Sequence, residues 1–285
     1  MNNLILRTLT GIVFVAVLVG SIVYGPYSYG LLFFLITVLG VMEFCHIVNQ
    51  QEGIHTNTLI TSMAGGYLFL AFYAYVSGII PTGAIFLPYL LSLIYLLVSE
   101  LYLKRQNPIA NWAYAMMSHL YVALPFSLLS ILAFQTDPMH PIFFPTYRFI
   151  FPLSVFIFLW ASDSGAYCVG SLLHKTFPTK LFPRISPNKS WVGSIGGGII
   201  AMGAATLIWT FDDSLTLPQW LGFALVVTVF GTWGDLVESL IKRTLGIKDS
   251  GHILPGHGGM LDRFDSSLLA IPASVIYLYT LMMTA

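Results

Sequence analysis

From Leu217 to Arg243 the chain reads LPQWLGFALVVTVFGTWGDLVESLIKR. A helix needs about 20 largely apolar residues to cross ~30 Å of hydrocarbon, and the run from 217 to 241 meets that length. Its far end is different in kind. Spaced by three or four on a helix, Asp235, Glu238, Ser239 and Lys242 share one polar face, while Leu236, Val237, Leu240 and Ile241 make the opposite side. Asp235 lies about two turns inside Lys242, and an ionisable group at that depth is costly unless it meets a partner, a cation or water. The stripe therefore marks either a site or a structural bridge from Asp235 to Lys242.

Eight more runs of the same kind lie near 4–24, 27–48, 58–80, 84–103, 109–134, 148–170, 191–211 and 266–284. Helix-breaking residues fall between them, at Gly25-Pro26, Pro81, Asn107-Pro108, Pro138, Pro141 and Pro145, and Pro218 stands at the opening of the run from 217. Composition agrees. The 285 residues are 56% hydrophobic and 8% charged, whereas a soluble domain carries about 25% charged residues. A water-soluble globule is excluded, and the expected fold is an all-α polytopic membrane protein of about nine transmembrane helices. The first run lacks an A-x-A-like cleavage pattern and another run follows at once, so it is expected to be retained as a helix. Residues 1–145 form an amino-terminal region of about five spans. Residues 146–285 are expected to form a carboxyl-terminal region of about four spans, with loops 171–190 and 242–265, which holds most of the polar residues.

Orientation follows from the basic residues, because Lys and Arg are retained in short cytoplasmic loops. With a cytoplasmic amino terminus, Arg7, Lys104, Arg105, Lys175, Lys180, Arg184, Lys189, Lys242, Arg243, Lys248 and Arg263 all fall inside, and only Arg148 falls outside. Both long loops then face the cytoplasm. A formal net charge of zero gives no basic excess for nucleic acid. Cys45 and Cys168, the only cysteines, lie in apolar stretches and read as small core residues rather than as a disulfide or zinc ligands.

The loop after the polar stripe mixes charge and glycine densely. Gly256, Gly258 and Gly259 permit backbone angles that turn amide N–H groups toward an anion, and Lys242, Arg243, Lys248 and Arg263 surround them with positive charge. Such a concavity suits phosphate oxygens. Asp262 and Asp265, three apart, share a helical face at the start of the last span. Carboxylate oxygens suit Mg²⁺, which takes one or two protein carboxylates plus substrate phosphates. Asp235 and Asp262 are the expected pair. The number of ions and a second cation are left open. A Walker-type loop fails, because His257-Gly258 stands where Lys-Ser/Thr is required. Zinc at His252 and His257 has no further suitably spaced ligands. His257 reads as a phosphate contact or a hydrogen-bonding loop residue.

These residues carry a family resemblance. The stretch Ser239–Asp265, SLIKRTLGIKDSGHILPGHGGMLDRFD, resembles without a gap the diagnostic pattern of phosphatidate cytidylyltransferases, also called CDP-diacylglycerol synthases. Two upstream elements are similar to the same family: Asp163-Ser164-Gly165-Ala166-Tyr167-Cys168-Val169-Gly170 and Ser186-Pro187-Asn188-Lys189-Ser190-Trp191-Val192-Gly193. Ser171 and Val192 depart from its usual pattern, and the first 150 residues resemble it only in hydropathy. The resemblance implies the reaction of CTP with phosphatidate to give CDP-diacylglycerol and pyrophosphate, with a divalent metal. It implies catalytic roles for Ser239, Lys242 and Asp262; Asp235 of the polar stripe is expected to join them, with Asp235 and Asp262 on the metal. It implies substrate contacts from Lys189, Ser190, Arg243, Lys248, Asp249, His257, Gly258, Gly259, Arg263 and Asp265. The roles of Asp163 and Glu238 stay open.

Phosphatidate moves within the leaflet and CTP arrives from the cytosol, so the expected site faces the cytoplasm across the lipid bilayer surface, in a bacterial inner membrane. A homodimer is left open. Two alternatives stand beside this reading. An ion-coupled transporter would show ionisable residues in several spans and a repeat, yet the first five spans carry Glu43 and Glu100 as their only acids. Another CTP-using enzyme, acting on an isoprenoid lipid or alcohol, would differ only in substrate.

Overall fold

The computed structural model describes residues 3–135, 145–173, 175–251, 253 and 258–284. Its helices are α1 (Asn3–Tyr24), α2 (Pro26–Val48), α3 (Thr58–Val76), α4 (Leu87–Leu103), α5 (Pro108–Ser118), α6 (Leu124–Ala133), α7 (Ile150–Leu173), α8 (Trp191–Trp209), α9 (Leu217–Thr244) and α10 (Leu261–Thr284). A π-helical turn, His119–Ala123, joins α5 to α6 into one rod, Pro108–Ala133. Its cause lies in Pro125, which offers no N–H and whose ring would collide with the carbonyl of Tyr121 in a regular α-helix. Among the described residues eight helical segments are long and apolar enough to span a membrane, and α1 adds a shorter apolar stretch, Thr8–Tyr24. The protein is therefore an all-α polytopic membrane protein, as its composition requires.

Two short antiparallel pairs interrupt the helices. Strands β1 (Phe134–Gln135) and β2 (Thr146–Tyr147) pair with each other, as do β3 (Lys180–Phe182) and β4 (Ser186–Ser190). The second pair occupies the expected loop 171–190, where no strand was foreseen because three- and five-residue strands leave no usable period. The last loop is also shorter than expected. Helix α9 runs on to Thr244 and α10 starts at Leu261 rather than 266, so Asp262 and Asp265 are helical, as their spacing suggested. Asp262 sits in the first turn, where the helix dipole favours a carboxylate. Counting apolar residues misses such a charged opening turn.

The chain divides into two compact units. Unit 1 comprises Met1–Ile150 with Leu245–Phe264, and unit 2 comprises Phe151–Thr244 with Asp265–Ala285. Packing thus groups the glycine-rich segment with the amino-terminal helices, whereas the linear division at 145/146 runs between α6 and α7.

In unit 1, an aromatic core of Tyr29, Phe33, Phe69, Tyr73 and Phe126 ties α2, α3 and α6 together. Helix α4 contributes little to burial, with only Leu96 and Glu100 enclosed; Leu91, Ile94 and Leu101 on its surface are suited to lipid. Its buried acid, Glu100, is matched: Oε1 accepts from Arg105 at 2.7 Å and Oε2 from Asn111 at 3.1 Å. That pairing makes Glu100 structural.

Unit 2 is held by two glycine seams. A Cβ at Gly197 of α8 would strike the Ser162 carbonyl of α7, and one at Gly234 of α9 would strike the Asp265 and Ser266 carbonyls of α10. Small residues let membrane helices approach to backbone contact. Trp220, fully buried, packs on Phe151, Phe158 and Phe223 and anchors the other end of α9.

Candidate active site

Within unit 2 the charged residues converge on Asp235. The β3–β4 pair carries Lys189 back to helix α9, and its Nζ lies 2.5 Å from Asp235 Oδ2. Ser239, one turn further along α9, donates from Oγ to Asp235 Oδ1 at 3.2 Å. Both members of the Lys189–Asp235 pair are about a quarter exposed, at 26% and 29% of their side chains, so the pair borders solvent rather than core. Asp163 of α7 is within electrostatic reach of Lys189 and Asp235, and Asp265 of α10 is within reach of Asp235, Asp163 and Lys242. Three carboxyl groups and two lysines thus share one field.

The Asp235–Lys242 bridge considered above is not what the structure forms. Lys242 pairs with Glu238, one turn away and buried, and Asp235 takes Lys189. Position i+4 on one helix competes successfully with i+7, because neighbours four apart lie one above the other. Glu238, whose role was open, therefore holds Lys242.

A cavity of about 600 Å³ opens beside this cluster. Asp163, Lys180, Asn188, Lys189 and Thr232 supply its polar wall, and Ala166, Tyr167 and Gly193 part of the remainder. Ser190, expected on substrate, accepts from the Gly193 N–H at 3.2 Å and caps the start of α8. Its neighbour Lys189 faces the acid cluster. Arg243 is exposed at the end of α9.

Within unit 1 the glycine-rich segment is organised around Asp262. Its Oδ2 accepts from the Ser250 N–H at 2.9 Å and from the Gly259 N–H at 2.8 Å, and Ser250 Oγ accepts from the Asp262 N–H at 3.3 Å. Gly258 has φ +82°, and a Cβ there would also meet the Asp262 carboxyl. This is one place where glycine is required twice over, by backbone angle and by space. Lys248, Asp249 and Arg263 are exposed around it. His257 lies outside the described residues, as does His252.

Glu43, named above only as an acid of an early span, joins this cluster from α2: its Oε2 accepts from the Leu261 N–H at 2.7 Å. The available signal was a lone acid in an otherwise apolar span.

Among the described residues no three His, Cys, Asp or Glu side chains form a ready-made metal cage. The donor set still fits Mg²⁺, which keeps water and takes few protein carboxylates when phosphates complete its shell. Carboxyl groups gathered at Asp235 beside lysines suit a cation bound together with anionic substrate.

Helices of this length define an integral membrane protein, and its carboxylate–lysine cluster lies beside a polar-walled cavity. Comparison with known proteins narrows the class. Residues 5–281 match the model of the cytidylyltransferase family. A phosphatidate cytidylyltransferase of Haemophilus influenzae is 30% identical, over 96% of this chain and 99% of that protein. One from Staphylococcus haemolyticus is 33% identical over 93% and 95% respectively, and one from Bacillus subtilis is 49% identical over 44% of this chain and 45% of its own length. The chain belongs to the cytidylyltransferase family.

Proposed function

We propose that this protein is a phosphatidate cytidylyltransferase, transferring CMP from CTP to phosphatidate to give CDP-diacylglycerol and pyrophosphate. The observation that carries this reading is near full-length similarity to relatives of that name, together with the unbroken match of Ser239–Asp265 to the family pattern.

In the reaction an oxygen of the phosphatidate phosphomonoester attacks the α-phosphorus of CTP. The new P–O bond forms as the bond from the α-phosphorus to the bridging oxygen breaks, and that oxygen leaves with pyrophosphate. Both reactants are anions, so positioning and charge neutralisation dominate the barrier. The phosphomonoester's second pKa is about 6, so the attacking oxygen is largely ionised at neutral pH and needs no strong base. Ser239, oriented by Asp235, is a hydrogen-bonding group rather than a nucleophile.

Lys242, Lys189, Arg243, Lys248 and Arg263 neutralise phosphate charge, and the Gly258–Gly259 backbone approaches phosphate oxygens. Asp235 and Asp262 are the proposed Mg²⁺ ligands, and Asp265 adds a carboxyl to the same field. Bound Mg²⁺ supplies Lewis-acid stabilisation of phosphate oxygens and of the leaving group. Lys189 holds the Asp235 carboxylate in place until anionic substrate competes for its ammonium. The distribution of Lys and Arg supports a site on the cytoplasmic side, and the similarity to bacterial relatives supports an inner-membrane location. Purified protein in phosphatidate-containing vesicles, supplied with CTP and Mg²⁺, tests the proposal: CDP-diacylglycerol and pyrophosphate should appear in equal amounts. A panel including an isoprenoid alcohol and its phosphate should yield no product.

A further inference from the structure

We infer that Glu43 of α2, which lies outside the motif that marks the family, is a positioning residue for the glycine-rich segment that presents Asp262. The inference rests on the assignment of Asp262 to the active site, but the contact itself does not.

Glu43 is the only Asp, Glu, Lys or Arg in α2 and is 5% exposed. A carboxyl group in that position is costly to bury without polar partners, and all those visible belong to the distant segment 245–264. Its Oε2 accepts the Leu261 N–H at 2.7 Å across 218 positions of sequence, at the first residue of α10. Its Oε1 lies so close to Gly251 and Gly259 that a Cβ on either would overlap it. Ser250 Oγ crowds the same Gly259 Cβ position.

The residues that touch Glu43 are those that hold Asp262. Gly259 packs against the Glu43 carboxyl through Cα and gives its N–H to Asp262 Oδ2. Ser250, next to Gly251, gives its N–H to the same oxygen, and Leu261 precedes Asp262 in the chain. Glu43 therefore fixes both ends of the loop whose amides orient Asp262. A cavity of about 670 Å³, lined by Glu43, His46, Gln50, Asp249, Ser250 and Gly251, adjoins this contact. Two glycines are thus explained by a side chain from another helix rather than by phosphate approach alone.

The test uses the full chain in lipid nanodiscs and reads hydrogen–deuterium exchange beside turnover. Glu43→Leu keeps bulk but removes the acceptor; exchange at Leu261 and Gly259 should rise about tenfold while α3 stays protected, and turnover should fall about 10²-fold from misplacement of Asp262. Glu43→Gln keeps an oxygen acceptor for Leu261 and should stay within about threefold of the parent in both readouts. Gly251→Ala pushes on the same contact from the loop side with Glu43 intact, and should raise exchange at Leu261 and lower turnover about tenfold. If Glu43→Leu does not fold, Gly251→Ala and Glu43→Gln decide. Parental exchange and turnover in Gly251→Ala, or loss in Glu43→Gln equal to that in Glu43→Leu, overturns the inference. If the parent protein shows no CTP-dependent turnover, the functional reading fails while the exchange data still judge the brace.

Discussion

Lys189 Nζ stands 2.5 Å from Asp235 Oδ2, an ion pair between a short strand and a membrane helix separated by 46 positions of sequence. Neither residue is enclosed, so the pair is too exposed to hold the fold together, where such contacts contribute about 0–1 kcal/mol. Its value is to hold Lys189, a residue of the cavity wall, against the Asp235 carboxylate. Lys189→Ala should reduce turnover about 10²-fold with protein level and thermal stability close to the parent. Initial rates and a melting curve on the same preparation check this.

Asp235→Asn should abolish turnover while leaving the Ser239 contact available, because an amide oxygen still accepts from Oγ. A loss of about 10³-fold or more is expected if the carboxylate carries charge to a cation and substrate. Ser239→Ala should cost less, about tenfold, since it removes one neutral hydrogen bond. The ratio of the two effects, measured as kcat under saturating CTP, separates the charge from its positioning.

Asp262 has a structural and a chemical duty that two substitutions divide. Asp262→Asn retains an oxygen for the Ser250 and Gly259 amides and should fold normally yet lose turnover. Asp262→Ala removes the acceptor of both bonds as well, and should expose those two amides to exchange. Gly258→Ala forces a side chain into a backbone with φ +82° and onto the Asp262 carboxyl; it should destabilise the segment by about 1–2 kcal/mol.

Lys242 and Glu238 form the more enclosed pair, with side chains 16% and 4% exposed. Lys242→Ala leaves a buried acid without that cation and should cost about 3 kcal/mol in stability in addition to activity. Adding Glu238→Gln should restore much of the stability and none of the activity. Parallel denaturation and turnover measurements on the single and double variants separate the two roles.

The helices were legible because their signal is redundant: about 20 apolar residues per crossing, punctuated by Pro and Gly, is hard to mistake. Hydropathy alone put the start of α10 at 266 rather than Leu261, since its first turn is charged and stabilised by local amides that composition does not reveal, although the spacing of Asp262 and Asp265 suggested a helix there. The partner of Asp235 was also hidden. Spacing along α9 suggested Lys242, but the strand pair that delivers Lys189 is a tertiary feature, with strands too short to announce themselves. Lys189 itself was visible as a motif residue, whereas Glu43 was noticed only as one of two acids in the first five spans. A buried carboxyl serving backbone amides in a distant segment leaves no pattern of its own.

The most direct measurement is formation of CDP-diacylglycerol by the purified protein in phosphatidate vesicles, followed with radiolabelled CTP before and after chelation of divalent cations. Product should depend on CTP, phosphatidate and protein together, vanish with chelator, return with Mg²⁺, and be absent from Asp235→Asn and Asp262→Asn. Product formed equally well under chelation would contradict the metal assignment, and parental turnover in either variant would contradict the site. Absence of product from the parent protein, folded and supplied with both substrates and Mg²⁺, would contradict the proposed function itself.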